Sequence, residues 1–283
     1  MHLNIKDRML NWGKFGEDEG SGLLFSIGND YEGHGPAMPK DTDSKIAKFL
    51  CHQLERRCGL RYAAHIPLQT DGLASLALNW SPNYLPIDEC ARKTLDFIEY
   101  YLDLLSNTLP RIDYVIIING HGGNRELGEY LTSPRIPVPI HYFFAVNLDL
   151  PQIVEHMEKS ADYSVTPAKK AEYLAVRPGH ACSFEHSIGH ALGFVSEREV
   201  SDLNDELAKD FYGTLQKYPV LGGLGGYLEF GGEEFQIMRE SKPNLRACYE
   251  KFKSDEKIIL YPELARAAIE FTIESFVAKI RNL

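Results

Sequence analysis

Apolar residues recur along this chain with two periods, and the alternation between them predicts the fold. Gly22 to Ile27 is a short apolar run that reads as a buried strand. Ile46, Leu50, Leu54 and Cys58 then return every four residues, which predicts a helix face, and Asp41 to Ser44 supply residues able to cap its start. Arg61 to Leu68 reads as a second strand. From Asp88 to Asn107, Ala91, Leu95, Ile98, Leu102 and Leu105 form one stripe of a second helix. Tyr114 to Ile118 lacks alternation, as expected of a strand covered on both faces. Asn124 to Tyr130 opens a further helix, and Val138 to Val146 gives another strand. This order predicts an α/β protein with a parallel or mixed sheet flanked by helices, in which sites lie beyond the carboxyl ends of strands.

Beyond about Val195 the pattern says less. Leu221-Gly-Gly-Leu-Gly-Gly226 lacks the Lys-Ser/Thr of a phosphate loop and reads as a flexible lid or a plain turn. Leu264, Ala268, Ile273, Phe276 and Ile280 give a terminal helix an apolar face, with Pro262 at a favourable first-turn position. That face suits core or a subunit contact.

The chemistry gathers in three clusters. Tyr31-Glu-Gly-His-Gly-Pro-Ala-Met-Pro-Lys-Asp-Thr-Asp43 packs carboxylates and an imidazole into a Gly/Pro-rich turn after the first strand. The run ending at Ile118 leads into Asn119-Gly-His-Gly-Gly-Asn124, and His180-Ala-Cys-Ser-Phe-Glu-His-Ser187 adds another carboxylate and more imidazoles. Carboxylate oxygen and neutral imidazole nitrogen are what a hard or borderline divalent ion takes. Glu32, His34, Asp43, His121 and Glu185 supply three negative charges and two neutral donors. Two divalent ions fit that set if a carboxylate or hydroxide bridges them, and one ion is the simpler alternative. Taken singly, a loop acid is commonly solvated and a histidine is commonly a packing residue.

Composition narrows the partners. A chain of 283 residues, 44% apolar, can bury one substantial core, so residues 1–283 read as a single domain with excursions. A net charge of -10 argues against a nucleic-acid backbone, although a few basic groups can still hold a phosphorylated small molecule. Five cysteines without a Cys-x-x-Cys pair read as buried thiols in a reducing compartment, with Cys51 and Cys58 on one helix face. Cys182, beside His180, is the exception with a conceivable nucleophilic role. No signal-peptide core follows Met1 and no stretch approaches membrane-span length, so a cytoplasmic protein with no membrane partner is expected.

The series Glu-x-His-Gly-Pro, Asp eleven positions after the Glu, strand-Asn-Gly-His-Gly-Gly-Asn and His-Ala-x-x-x-Glu-x-Ser resembles the creatininase family of metal-dependent amidohydrolases, over about Gly22 to Gly193. The resemblance implies a creatininase-like three-layer α/β/α fold. It implies one or two divalent ions (Zn, Fe or Mn) on Glu32, His34, Asp43, His121 and Glu185, His180 as catalytic acid/base, and a homo-oligomer, hexameric or dimeric. Creatininase proper carries a glutamate ligand two residues beyond the motif histidine, where this chain has Gly123. Ala37-Met38-Pro39, Asp41-Thr42-Asp43 with the Ser-Lys-Ile-Ala that follows, and Ser187-Ile188-Gly189 are closer to the archaeal branch that deformylates a formylamino-pyrimidine nucleotide. Cys182 replaces the usual Gly of His-Ala-Gly, and His186 stands where many members have Thr.

The expected activity is metal-dependent hydrolysis of a non-peptide C–N bond, an amide or formamide, in a small molecule. The alternatives are a creatinine or other cyclic-amide amidohydrolase, a dinuclear phosphoesterase, and a non-catalytic ligand-binding or assembly protein. Tyr31, Trp80 and Tyr84 could line a planar substrate's pocket or serve as packing anchors, and Arg125 could bind an anion or simply start a helix. Asp41 reads as a helix cap in preference to an outer partner of a metal-bound histidine.

Overall fold

The computed structural model describes residues 22–106, 111–145 and 149–283. The amino-terminal residues read for a leader, the helix end at Asn107 and the strand end at Val146 lie outside them.

The sheet has four parallel strands, β1 (Gly22–Ile27), β2 (Arg61–Ile66), β3 (Tyr114–Asn119) and β4 (Ile140–Phe144), in the order β2-β1-β3-β4. Of the parallel and mixed sheets open to the sequence, the parallel one forms. Residues of the two central strands alternate between two cores. Leu24, Ile116 and Ile118 pack on one face with α1 (Thr42–Cys58) and with the later α3 (Leu150–Lys159) and α11 (Pro262–Ile280). Leu23, Phe25, Ile27, Val115 and Ile117 pack on the other face with α2 (Ile87–Leu105). Both faces are thus covered, which is why β3 reads as an unbroken apolar run.

The helices follow the predicted stripes. Ile46, Leu50 and Leu54 of α1 are buried, and Gly59 ends the helix in the left-handed conformation at φ 66°. The start of α1 differs from expectation: the Asp41 side chain caps nothing and instead pairs with Lys45, while Thr42 Oγ1 donates to the Pro39 carbonyl at 2.6 Å. The turn after β3, Gly122–Tyr130, is a 3-10 helix.

The stretch after Val195 forms helices: α4 (Pro167–Ala175) and α5 (Ser183–Ala191) lead into α6 (Glu197–Lys209), α7 (Phe211–Lys217), α8 (Leu221–Phe230), α9 (Gln236–Ser241) and α10 (Pro243–Asp255). These enclose a third apolar cluster that includes Leu203, Leu215, Leu221, Met238 and Phe252, and Ala37, Met38 and Trp80 join it from the first half. The glycine-rich stretch belongs to this core. Gly222, Gly223 and Leu224 take positive φ in a non-helical kink within α8 and Leu221 to Gly226 are buried, so the stretch is a buried turn and not a flexible lid. Among the described residues no helix is long and apolar enough to cross a membrane.

Register fixes where the motifs meet. Ile27 of β1 lies beside Asn119 of β3, and the Gly120 amide donates to the Ile27 carbonyl at 2.9 Å, so both motif loops leave the sheet side by side. The strand order reverses between these two strands, the position where open α/β sheets form ligand crevices. The start of α1 presses onto this point, where a β-carbon at Gly120 would fall 2.1 Å from the Asp43 carbonyl oxygen. At Gly122 the same construction meets nothing within 4 Å. Gly120→Ala is therefore expected to cost about 2 kcal/mol or more and to weaken divalent-metal binding through Asp43, with Gly122→Ala within about 0.5 kcal/mol of the parent. Denaturant unfolding of the two variants checks this, and equal stabilities would refute the close approach.

Candidate metal centre

Three loops deliver the chemistry to one place. Glu32 and His34 follow β1, Asp43 opens α1, His121 follows β3, and His180 and Glu185 flank the start of α5. Their donor atoms form three overlapping groups, Glu32–Asp43–His121, His34–Asp43–Glu185 and Glu32–His34–His180, each with its atoms within 4.8 Å of one another. His121 Nδ1 lies 2.9 Å from Glu32 Oε2 and 2.9 Å from Asp43 Oδ2. His34 Nε2 lies 3.5 Å from Asp43 Oδ1 and 3.9 Å from Glu185 Oε2. His180 Nδ1 lies 3.6 Å from Glu32 Oε1, and its ring sits 4.4 Å from that of His34.

All three rings are set by the same device. The outer nitrogen of each donates to a backbone carbonyl: His121 Nε2 to Thr70 at 3.1 Å, His34 Nδ1 to Glu32 at 3.1 Å, His180 Nε2 to Gly33 at 2.7 Å. The second nitrogen is thereby turned toward the carboxylates, the way supporting hydrogen bonds orient ligand histidines. Asn119 holds the His121 backbone from both sides, its Oδ1 accepting from the His121 amide at 3.0 Å and its Nδ2 donating to the His121 carbonyl at 2.9 Å. Asn124 Oδ1 accepts from the Thr70 amide at 2.8 Å and so fixes the carbonyl that orients His121. The Ala181 amide donates to Glu185 Oε2 at 2.6 Å, with Ala181 itself at a strained φ of 47°.

Glu32, His34, Asp43 and His121 are 3% exposed or less, so charge here is costly. Burial, reinforced by Asp43, pushes the Glu32 carboxyl up to about 8 despite the pull of His121. Burial likewise raises Glu185 to about 7 against the pull of His34. On Asp43 burial is overcome by the adjacent rings of His121, which hydrogen-bonds it, and His34, and together they hold its carboxyl well below the usual range. The imidazolium of His34, disfavoured by burial, is pulled up to about 10 by Asp43 and Glu185, and that of His121 well above its usual value by Glu32 and Asp43. His180 goes the other way: burial and neighbouring His34 hold it down at about 3.

A divalent cation fits this donor set. Glu32 Oε2 and His34 Nε2 are buried and make no well-formed hydrogen bond; what stands beside them are other candidate ligands, His121 Nδ1 at 2.9 Å and Asp43 Oδ1 at 3.5 Å, and a cation among them would satisfy both.

Tyr31 is 54% exposed on the loop that carries Glu32. Trp80 is buried: its carbonyl accepts from the Gly33 amide at 2.9 Å and its ring packs on Tyr227, so it supports the loop from behind. Tyr84 packs against the third apolar cluster. Arg125 is exposed, its guanidinium 5.2 Å from the Phe144 ring centroid. Sequence reading missed Thr70 and Gly33, whose contributions are backbone carbonyls without a side-chain signature. Asn119 and Asn124 were legible as the polar ends of the second motif.

No family model matches the chain. Curated relatives include the 2-amino-5-formylamino-6-ribosylaminopyrimidin-4(3H)-one 5'-monophosphate deformylases of Methanothermobacter thermautotrophicus, 23% identical over 266 residues covering 92% of this chain and 88% of the relative, and of Methanothermobacter marburgensis, 23% identical over 92% and 89%. The same-named protein of Methanothermus fervidus is 21% identical over 92% and 83%. Among solved structures, a creatininase Mn structure superposes with a TM-score of 0.50 at 13% identity, covering 99% of this chain and 96% of that one. These findings bear out the resemblance read from the motifs, and the fold is that of the creatininases.

Without metal, the folded protein binds more protons than the unfolded chain above neutrality, because Glu32 and His34 keep theirs past the values of free side chains. Stability present at lower pH is lost as pH rises through the raised values. The unfolding free energy of metal-free protein is expected to fall between about pH 7 and about pH 9 and to flatten when a divalent ion is supplied. A metal-free stability that rises across that window in denaturant titrations would contradict the assignment.

Proposed function

We propose that this creatininase-fold chain is a metal-dependent hydrolase of a non-peptide C–N bond, and that the bond is a formamide on a pyrimidine nucleotide of the kind named for its archaeal relatives. The observation that carries the reading is the convergence of buried Glu32, His34, Asp43 and His121 with partly buried Glu185 and His180, their donor atoms facing one another. Glu32, Asp43 and His121 would hold one divalent ion (Zn, Fe or Mn) and His34, Asp43 and Glu185 a second, with Asp43 common to both. Such ions, when bound, polarise a carbonyl and lower the pKa of water from about 15.7 toward about 7.

His180 is the proton carrier. Its Nε2–H is committed to the Gly33 carbonyl, so Nδ1 is the basic nitrogen, and burial keeps the ring neutral at working pH. Nδ1 can take the proton of the attacking water and return it to the departing amine nitrogen, help worth roughly a hundred- to ten-thousand-fold. A formamide carbon bears only hydrogen besides its oxygen and nitrogen, the least bulky acyl group that could be presented to these ligands. Tyr31 at the rim can flank a planar ring, and Arg125 is the candidate partner of a phosphate. Gly123 argues against creatinine chemistry. A β-carbon there would fall 2.5 Å from His121 Nε2 and 2.6 Å from the Thr70 carbonyl, so the additional carboxylate ligand of creatininase proper has no room.

Chelation is expected to abolish turnover and a divalent ion to restore it. His121→Ala should lose metal, whereas His180→Ala should keep it and lose roughly a hundred- to ten-thousand-fold in kcat. Metal analysis beside kinetics separates the two roles, and metal loss in His180→Ala would make it a ligand. Supplied with the formylamino-pyrimidine nucleotide, the metal-loaded protein should release formate and leave creatinine intact. Creatinine hydrolysis without formate release would reject the substrate reading.

A further inference from the structure

Cys182 and Cys248 are free and buried, and their sulfurs gather at Gly179, whose amide lies 3.2 Å from Cys182 Sγ and whose β-carbon, if present, would fall 2.7 Å from Cys248 Sγ. They join two elements that the chain separates widely: Cys182 precedes α5, and Cys248 lies in α10. Both line a small recess of about 20 Å³ together with Arg177, Lys251, Asp255 and Tyr261, room for a reagent of about the size of water beside the sulfurs. Cys182 stands at the amino-terminal end of α5, where its Sγ accepts from the Gly179 amide. Cys248 wedges behind the His180 loop, since a β-carbon on Gly179 would fall 2.7 Å from its Sγ and one on Gly223 3.0 Å from it. Gly223 in turn donates its amide to the His180 carbonyl at 2.7 Å.

We propose that Cys182 and Cys248 form a peroxide-sensitive dithiol site whose closure to a disulfide distorts the metal centre. The Cys182 sulfur attacks one peroxide oxygen, the O–O bond breaks and water leaves, giving a sulfenic acid. The Cys248 thiol then displaces its hydroxyl as a second water. In sum two thiols and one hydrogen peroxide give one disulfide and two waters. Bringing the sulfurs to a bond length of about 2.05 Å draws the start of α5 toward α10. His180, Ala181 and Glu185 stand on that segment, so divalent-ion affinity falls with oxidation. This coupling rests on the reading of Glu185 as a ligand, whereas disulfide formation does not.

The test treats the metal-loaded protein with hydrogen peroxide, then measures thiols after unfolding, intact mass and bound divalent ion. The titre should fall from the five cysteines of the chain to three, with two hydrogens lost, no oxygen gained, at least about tenfold weaker ion binding and full reversal by dithiothreitol. Cys182→Ala and Cys248→Ala should each abolish the reversible two-thiol step. Oxygen addition without thiol pairing, or a two-thiol loss that persists in either variant, would overturn the site. A disulfide that leaves ion affinity unchanged would overturn the coupling while leaving the hydrolase reading to stand or fall on formate release.

Discussion

Three carboxylates and three imidazoles gathered at one end of a sheet, four of them buried and two partly buried, set the constraint that the rest of this structure serves. Each such ion removed from water costs several kcal/mol unless opposite charge and hydrogen bonds replace its hydration. Here the replacements are mutual: Asp43 holds its charge against His121 and His34, while Glu32 and Glu185 are pushed toward the neutral form. A cluster so arranged is favourable for a cation, and Glu32 Oε2 and His34 Nε2, which make no well-formed hydrogen bond, mark where one would be held.

The scaffold meets that constraint with backbone more than with side chains. Parallel strands β1 and β3 end in register, so the loops bearing Glu32 and His121 start as neighbours. Gly120 lets α1 settle onto their ends, and the carbonyls of Thr70, Glu32 and Gly33 each fix one ring nitrogen. The late helices support the site from a distance, because the left-handed Gly222 and Gly223 donate their amides to the carbonyls of Ala181 and His180. A glycine-rich stretch that looks mobile in sequence is buried because its missing side chains admit Phe252 and Cys248.

Much of the sheet and its two covering helices was legible before any coordinates, because periodicity reports which faces are buried. Ile46, Leu50 and Leu54 lie in the core, as does the stripe from Ala91 to Leu105 except for the partly buried Leu102. Polar details at the element ends were less legible. Asp41 looked like a cap yet pairs with Lys45, because side-chain choice at a helix start depends on which partner the next turn presents. The region after Val195 gave little signal, since several short helices there bury residues against each other and blur any single stripe.

The sequence by itself determined the donor set, the strand ends that carry it and the family it resembles, because those follow from residue type and local spacing. Tertiary structure alone decided which nitrogen of each histidine faces inward, that Trp80 supports the loop from behind, and that Cys182 meets Cys248. Each of these depends on a backbone carbonyl or a side chain far along the chain, brought near by packing, and local sequence carries no record of such distances.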